Sequence, residues 1–138
     1  MYSKQTIICV CCGTQKETSR HSSLGKYCSN KCQQDFQYQS FIKRWLNGDE
    51  SGLVGKKGVS LHVRRYIFEK FGNKCVECGW CERHPADGRI PLEVDHIDGN
   101  WENTVATNLR LLCPNCHSLT LTYKSRNKKS SRNYSPAS

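Results

Sequence analysis

No stretch of this chain approaches the roughly 18 consecutive apolar residues needed to cross a bilayer, so a helical membrane anchor is excluded within it. No basic amphipathic helix with a strong apolar stripe points to a membrane surface either. The opening "MYSKQTIICVCCG" has no long apolar run and no small-residue cleavage site, so an intracellular, cytoplasmic protein is expected. That expectation removes the ordinary reason for a chain to be rich in disulfides. Aliphatic residues are also scarce: hydrophobic residues make up 36% of 138, and ten of those are cysteine. A core this thin calls for a staple, and in a reducing compartment the staple is metal held by thiolates. Acidic residues are the last shortage, 12 against 21 Lys and Arg, for a formal charge of +9. Such an excess favours a polyanionic partner, because each phosphate neutralised releases condensed counterions.

Four segments follow from composition. Residues 1–32 hold five cysteines and read as an N-terminal zinc-finger module. Residues 33–59 combine a helix and a linker. In "QQDFQYQSFIKRWLN", Phe36, Phe41, Trp45 and Leu46 recur at helical intervals and Gly48 stops them, whereas "GDESGLVGKKGV" carries four glycines. Residues 60–123 hold the other five cysteines. Residues 124–138, "KSRNKKSSRNYSPAS", have five basic residues and no acidic one, the composition of a tail disordered when free. Within the third segment, Ser60 is a candidate N-cap for a helix with Leu61, Val63, Ile67, Phe68 and Phe71 on its apolar side and Gly72 at its end. Its other face shows Arg64, Arg65 and Lys70, either a solvated face or a DNA contact.

Two Cys-x-x-Cys-Gly knuckles echo each other, "CVCCG" from Cys9 and "CVECG" from Cys75. Each precedes a second cysteine pair. Cys75, Cys78, Cys113 and Cys116 form two matched pairs separated by 34 residues, the ligand set of a closed tetrahedral zinc site. Cys9, Cys12, Cys28 and Cys32 form a looser second set. Cys11 competes with Cys9 there, and Cys9 is preferred because it reproduces the register of the other knuckle. His21 stands in a polar loop, and Cys11 and Cys81 are left as spare thiols. Two structural Zn²⁺ ions are therefore expected.

Between the second set's pairs lies "IPLEVDHIDGNWENTVATNLRLLCPNCH". Leu92 and Val94 alternate as in a half-buried strand. A polar loop follows, then a short strand "NLRLL", then a helix beginning near Cys116 with His117 in its first turn. Asp98-Gly99 reads as a turn. This strand–loop–strand–helix order resembles the HNH endonucleases. The matching residues are Asp95-His96, Asn108 twelve residues on and His117 nine further, all between paired Cys-x-x-Cys knuckles. The fold implied is a small α+β, zinc-stapled protein, with a ββα-metal, treble-clef-like HNH nuclease domain, an N-terminal zinc-finger module and connecting helices.

The resemblance also implies roles. Asp95 and His117 would bind a catalytic divalent ion, Mg²⁺ or else Mn²⁺ or another divalent metal. His96 would be the general base, and Asn108 would pin the loop so that a backbone carbonyl orients the His96 ring. Adjacent strand residues point to opposite faces, so an irregularity is expected where Asp95 and His96 meet. The implied activity is phosphodiester hydrolysis in double-stranded DNA, most like a phage-type homing endonuclease acting in the host cytoplasm. Restriction-type cleavage, a packaging-associated nickase and a non-catalytic zinc-dependent nucleic-acid binder are the alternatives. Arg64, Arg65, Arg110, Lys124, Arg126, Lys128 and Lys129, with Lys56 and Lys57, are candidate DNA contacts. Arg110 is equally compatible with a solvent-facing role. Monomer and dimer are both compatible with the sequence.

Overall fold

The computed structural model describes residues 3–19, 22, 25–56 and 58–126. His21, Lys57, Lys128 and Lys129 lie outside the described residues. The chain divides into two compact units, Met1–Arg44 and Trp45–Ser138.

In the first unit, β1 (Lys4–Ile8) pairs antiparallel with β2 (Gln15–Ser19), Ile8 opposite Gln15. The β-branched run Thr6, Ile7, Ile8 favours this extended backbone. Helix α1 (Asn30–Leu46) follows. It opens earlier than residue 33 because Ser29 caps it: the Ser29 hydroxyl accepts from the Cys32 amide at 3.1 Å. Cys32 thereby enters the first helical turn. Tyr38 and Ile42 are the buried residues of its middle. The helix stops at Gly48, whose φ of 86° suits a left-handed C-terminal residue.

The second unit starts with Trp45, and the glycine-rich stretch after it is closed rather than open. Leu53 bridges Val59, and the Ser60 amide donates to the Gly52 carbonyl at 2.7 Å. Trp45 Nε1 donates to the Thr104 carbonyl at 2.9 Å, and the Gly52 amide to the Thr104 hydroxyl at 3.2 Å. Helix α2 (Leu61–Lys70) is capped by Ser60, whose hydroxyl accepts from the Val63 amide. Strands β3 (Glu93–His96) and β4 (Leu109–Leu112) form an antiparallel hairpin, with Asp95 opposite Arg110 and His96 opposite Leu109. The short helix α3 (Pro114–Ser118) follows at once, capped by Cys113 and begun by Pro114. Helix α2 packs on β4, and α3 on both strands. Val63, Ile67, Leu92, Leu109, Leu111 and Leu112 are the fully buried aliphatic core. The result is a small α+β unit in ββα order. No helix among the described residues is long and apolar enough to cross a membrane.

Candidate metal centres and active site

Both cysteine quartets assemble. The ligand atoms of Cys9, Cys12, Cys28 and Cys32 lie within 4.8 Å of one another, as do those of Cys75, Cys78, Cys113 and Cys116. The knuckles repeat one backbone pattern: the Cys9 amide donates to the Thr14 carbonyl and Gly13 to Cys9, while Cys75 donates to Trp80 and Gly79 to Cys75. Gly13 and Gly79 have φ of 74° and 76°, which a side chain would strain. The second pairs arrive differently, Cys28 and Cys32 at the start of α1, and Cys113 and Cys116 at the start of α3. Sulfur–sulfur separations of 3.6 Å (Cys12–Cys28), 3.5 Å (Cys28–Cys32) and 3.7 Å (Cys78–Cys113) are close to the ~3.8 Å edge of a tetrahedron with zinc–sulfur bonds of about 2.3 Å.

The thiols themselves ask for a cation. The Cys12 amide leads in pulling Cys9 down to about 6. Burial works against ionising Cys75, yet the amides of Cys113, Cys78 and Glu77 also bring it to about 6. Their neighbours go the other way: Cys32 and Cys12 push Cys28 up to about 12, and Cys113 and Cys78 push Cys116 upward. Four crowded sulfurs cannot all ionise unaided, and a dication is what allows it. Either quartet can hold tetrahedral zinc. Cys11 is half-buried and Cys81 exposed, both outside the quartets.

Asp95 and His117 meet where α3 packs on the hairpin. Asp95 is buried at 4% exposure, and its Oδ1 lies 3.5 Å from His117 Nε2. Each side chain has its other polar atom engaged. Arg110 Nε donates to Asp95 Oδ2 at 2.8 Å, and Arg110 Nη1 reaches Glu77 of the second knuckle at 3.2 Å. His117 Nδ1 contacts Glu93 Oε2. Tyr123 packs edge-on against the His117 ring, centroids 5.1 Å apart. An Oδ1–Nε2 gap of 3.5 Å exceeds an ordinary hydrogen bond of about 2.7–3.2 Å. Two ligands of one cation with bonds of about 2.1 Å stand about 3.0 Å apart at a right angle and about 3.4 Å at the tetrahedral angle, so a small closure lets the pair hold a divalent ion. Among the described residues no third His, Cys, Asp or Glu completes a larger group there, which leaves positions for water and phosphate.

Glu93 is absent from the sequence-derived set. The signal for it was in the strand period: residues i and i+2 share a face, so Glu93 stands beside Asp95. The same alternation sets His96 with Val94. The register stays regular through His96, and the bend begins only at Ile97, where the Gly99 amide donates back to the His96 carbonyl at 2.8 Å. The irregularity expected at Asp95-His96 is thus displaced to the residues just after it. His96 is the last residue of β3, half-buried, with Nε2 withdrawn from solvent.

Asn108 organises the loop between the strands. Its Oδ1 accepts from the Asp98 amide at 3.0 Å, and its Nδ2 donates to Asp98 Oδ1 and to the Asn103 carbonyl, each at 2.9 Å. The Ile97 amide donates to the Asn108 carbonyl. Asp98 also accepts from the Asn100 amide and from Asn103 Nδ2. These donors, Asn103 foremost, hold its carboxyl below the usual range.

The basic residues are mostly occupied locally. Arg64 donates to the Leu92 carbonyl and stacks on Phe68, and Arg65 pairs with Glu69. Lys124 lies over the Tyr123 ring, 5.1 Å from its centroid, and Arg126 is exposed beyond it.

Over 58 residues, 40% of this chain, the sequence is 47% identical to a protein of Escherichia phage T5 named H-N-H endonuclease F-TflIV. The matched segment is 23% of that relative's length. No family model matches the chain, and no solved structure does. The partial homology supports a likeness to HNH endonucleases at the level of the family name.

Proposed function

We propose that this chain is a divalent-metal-dependent DNA endonuclease of HNH type. The observation that carries the proposal is the facing pair Asp95 Oδ1 and His117 Nε2, 3.5 Å apart. Their other polar atoms are held by Arg110 and Glu93. The homologous stretch of a phage protein named H-N-H endonuclease supports it. A divalent ion bound by Asp95 and His117 would polarise the scissile phosphate and stabilise charge on the leaving 3′-oxygen. His96 serves as the general base. It takes a proton as water attacks phosphorus and the P–O3′ bond breaks. Imidazole suits this role because it titrates near neutrality. Asn108 keeps the 97–108 loop in one shape, so that the end of β3 presents His96 in a fixed direction. Zinc in the second quartet holds the start of α3, and therefore His117, against the hairpin. Basic residues beside the site, Lys124 and Arg126 among them, supply phosphate contacts on double-stranded DNA.

The test is cleavage of supercoiled plasmid in Mg²⁺ or Mn²⁺. The wild-type chain is expected to cut, and His96→Ala to lose about 10²–10⁴-fold in rate while still shifting DNA in a gel. Cleavage by His96→Ala at the wild-type rate would remove His96 as the base. No wild-type cleavage with Mg²⁺, Mn²⁺ or Ni²⁺ would leave a zinc-dependent nucleic-acid binder. We further assign the chain to the homing type, from the added N-terminal cysteine quartet beside the HNH-like unit. Mapping the cleaved ends on genomic DNA distinguishes one long, rare site from restriction-type or packaging-associated cutting.

A further inference from the structure

Glu93 contacts the Nδ1 atom of His117 from the far side of the ring, while Nε2 faces Asp95. We infer that Glu93 is the positioning residue of the metal site: it accepts the Nδ1 proton of His117 and so fixes the tautomer that leaves the Nε2 lone pair for the ion. This deepens the proposed function and rests on its metal site.

Three observations converge. First, the geometry is one-sided. A single imidazole is held between two carboxylates, each opposite a different nitrogen. The buried carboxylate is Asp95, whose side chain is 5% exposed, and the open one is Glu93, at 53%. Second, His117 Nε2 and Asp95 Oδ1 stand 3.5 Å apart, beyond an ordinary hydrogen bond, so the ring does not give its proton to Asp95. Two acceptors facing at 3.5 Å repel unless a cation lies between them. Third, the elements make the arrangement rigid. Glu93 and Asp95 alternate on one face of β3, and their cross-strand partners are Leu112 and Arg110. His117 sits in the helix whose cap is the zinc-quartet residue Cys113. Metal-binding histidines commonly give their second nitrogen's proton to such a carboxylate, and loss of that partner weakens metal binding by about ten- to a hundredfold. Glu93 does not join Asp95 and His117 in a three-ligand group, which separates this role from direct ligation.

The test uses the full zinc-loaded chain with Mg²⁺ and Mn²⁺ as probes. Long-range ¹H–¹⁵N correlation spectra of the Mg²⁺-bound protein report the His117 tautomer without any catalytic turnover. The wild type should show the proton on Nδ1, and Glu93→Gln should retain it, since the amide oxygen can still accept. Glu93→Ala should lose that preference and bind Mn²⁺, followed by the free-ion electron paramagnetic resonance signal, about ten- to a hundredfold more weakly. A wild-type ring protonated on Nε2, or Mn²⁺ affinity unchanged in Glu93→Ala, would overturn the role of Glu93. Asp95→Ala separates this from the parent reading. If it loses Mn²⁺ affinity while Glu93→Ala does not, the metal site stands and only the Glu93 inference falls. If neither variant changes Mn²⁺ binding, the metal site itself falls.

Discussion

At the scale of single residues, Arg110 holds an unusual place. It lies directly across the hairpin from Asp95 and binds one of its oxygens, while its far end reaches Glu77 between two zinc-quartet cysteines. A buried carboxylate without a partner is costly, so if Asp95 binds the proposed cation, removing Arg110 leaves more of the compensation to that ion. Arg110→Ala should lower the metal-free stability by about 1–3 kcal/mol. It should also widen the gain in melting temperature on adding Mg²⁺ relative to wild type. A smaller Mg²⁺ shift in the variant would mean that Arg110 supports the ion rather than standing in for it. Asp98 makes a second prediction, in pH. Its folded carboxyl titrates below the usual range because Asn103, Asn100 and Asn108 donate to it. The stabilisation is therefore complete above the unfolded value of about 3.9 and fades as pH falls through the lowered folded value. Urea unfolding at pH 7 and pH 3 should show Asp98→Asn narrowing the gap between the two conditions. An equal gap in both proteins would remove the loop carboxylate from the acid response.

At the scale of elements, the stretch once read as a linker carries a sharp constraint. A Cβ on Gly52 would lie 2.8 Å from the Thr104 hydroxyl and 2.9 Å from Trp45 Nε1. Gly52→Ala should therefore cost about 1–3 kcal/mol through overpacking, read as a lower urea midpoint with altered Trp45 fluorescence. An unchanged midpoint would mean this segment gives way freely. The glycine count of 48–59 suggested looseness, because composition does not say which glycines are there for close approach. The knuckles were legible for the opposite reason: tetrahedral sulfur geometry dictates their spacing locally, and Gly13 and Gly79 mark their turns. The hairpin could be read from Leu92 and Val94, and α2 from Ser60 and Gly72. The start of α1 is hard to read because its cap, Ser29, lies between Cys28 and Cys32, whose spacing signals a metal knuckle rather than a helix. Of the candidate site, Asp95, His96, Asn108 and His117 are named by the HNH resemblance. The strand period sets Glu93 beside Asp95, but its contact with His117 depends on where α3 lands, and the pairing of Arg110 with Asp95 depends on cross-strand register.

At the scale of the whole molecule, the two units differ in what they have besides metal. The second has six fully buried aliphatic side chains, Val63, Ile67, Leu92, Leu109, Leu111 and Leu112. Among the described residues of the first, Cys9, Tyr27, Tyr38 and Ile42 are the buried hydrophobics, and the β1–β2 hairpin is mostly exposed. The first unit should therefore depend more on a metal ion held by its quartet. Binding requires thiols such as Cys28, held near 12 without metal, to release their protons. Zinc affinity must then fall as pH falls, and acid should act in the same direction as a chelator. Hydrogen exchange during chelation at neutral pH should show amides of Lys4–Ile8 and Gln15–Ser19 losing protection first. Those of Leu109–Leu112 should lose it last, with the second zinc. Loss in the reverse order would mean that the aliphatic core of the second unit contributes little without its metal. Simultaneous loss would mean that the two units unfold as one.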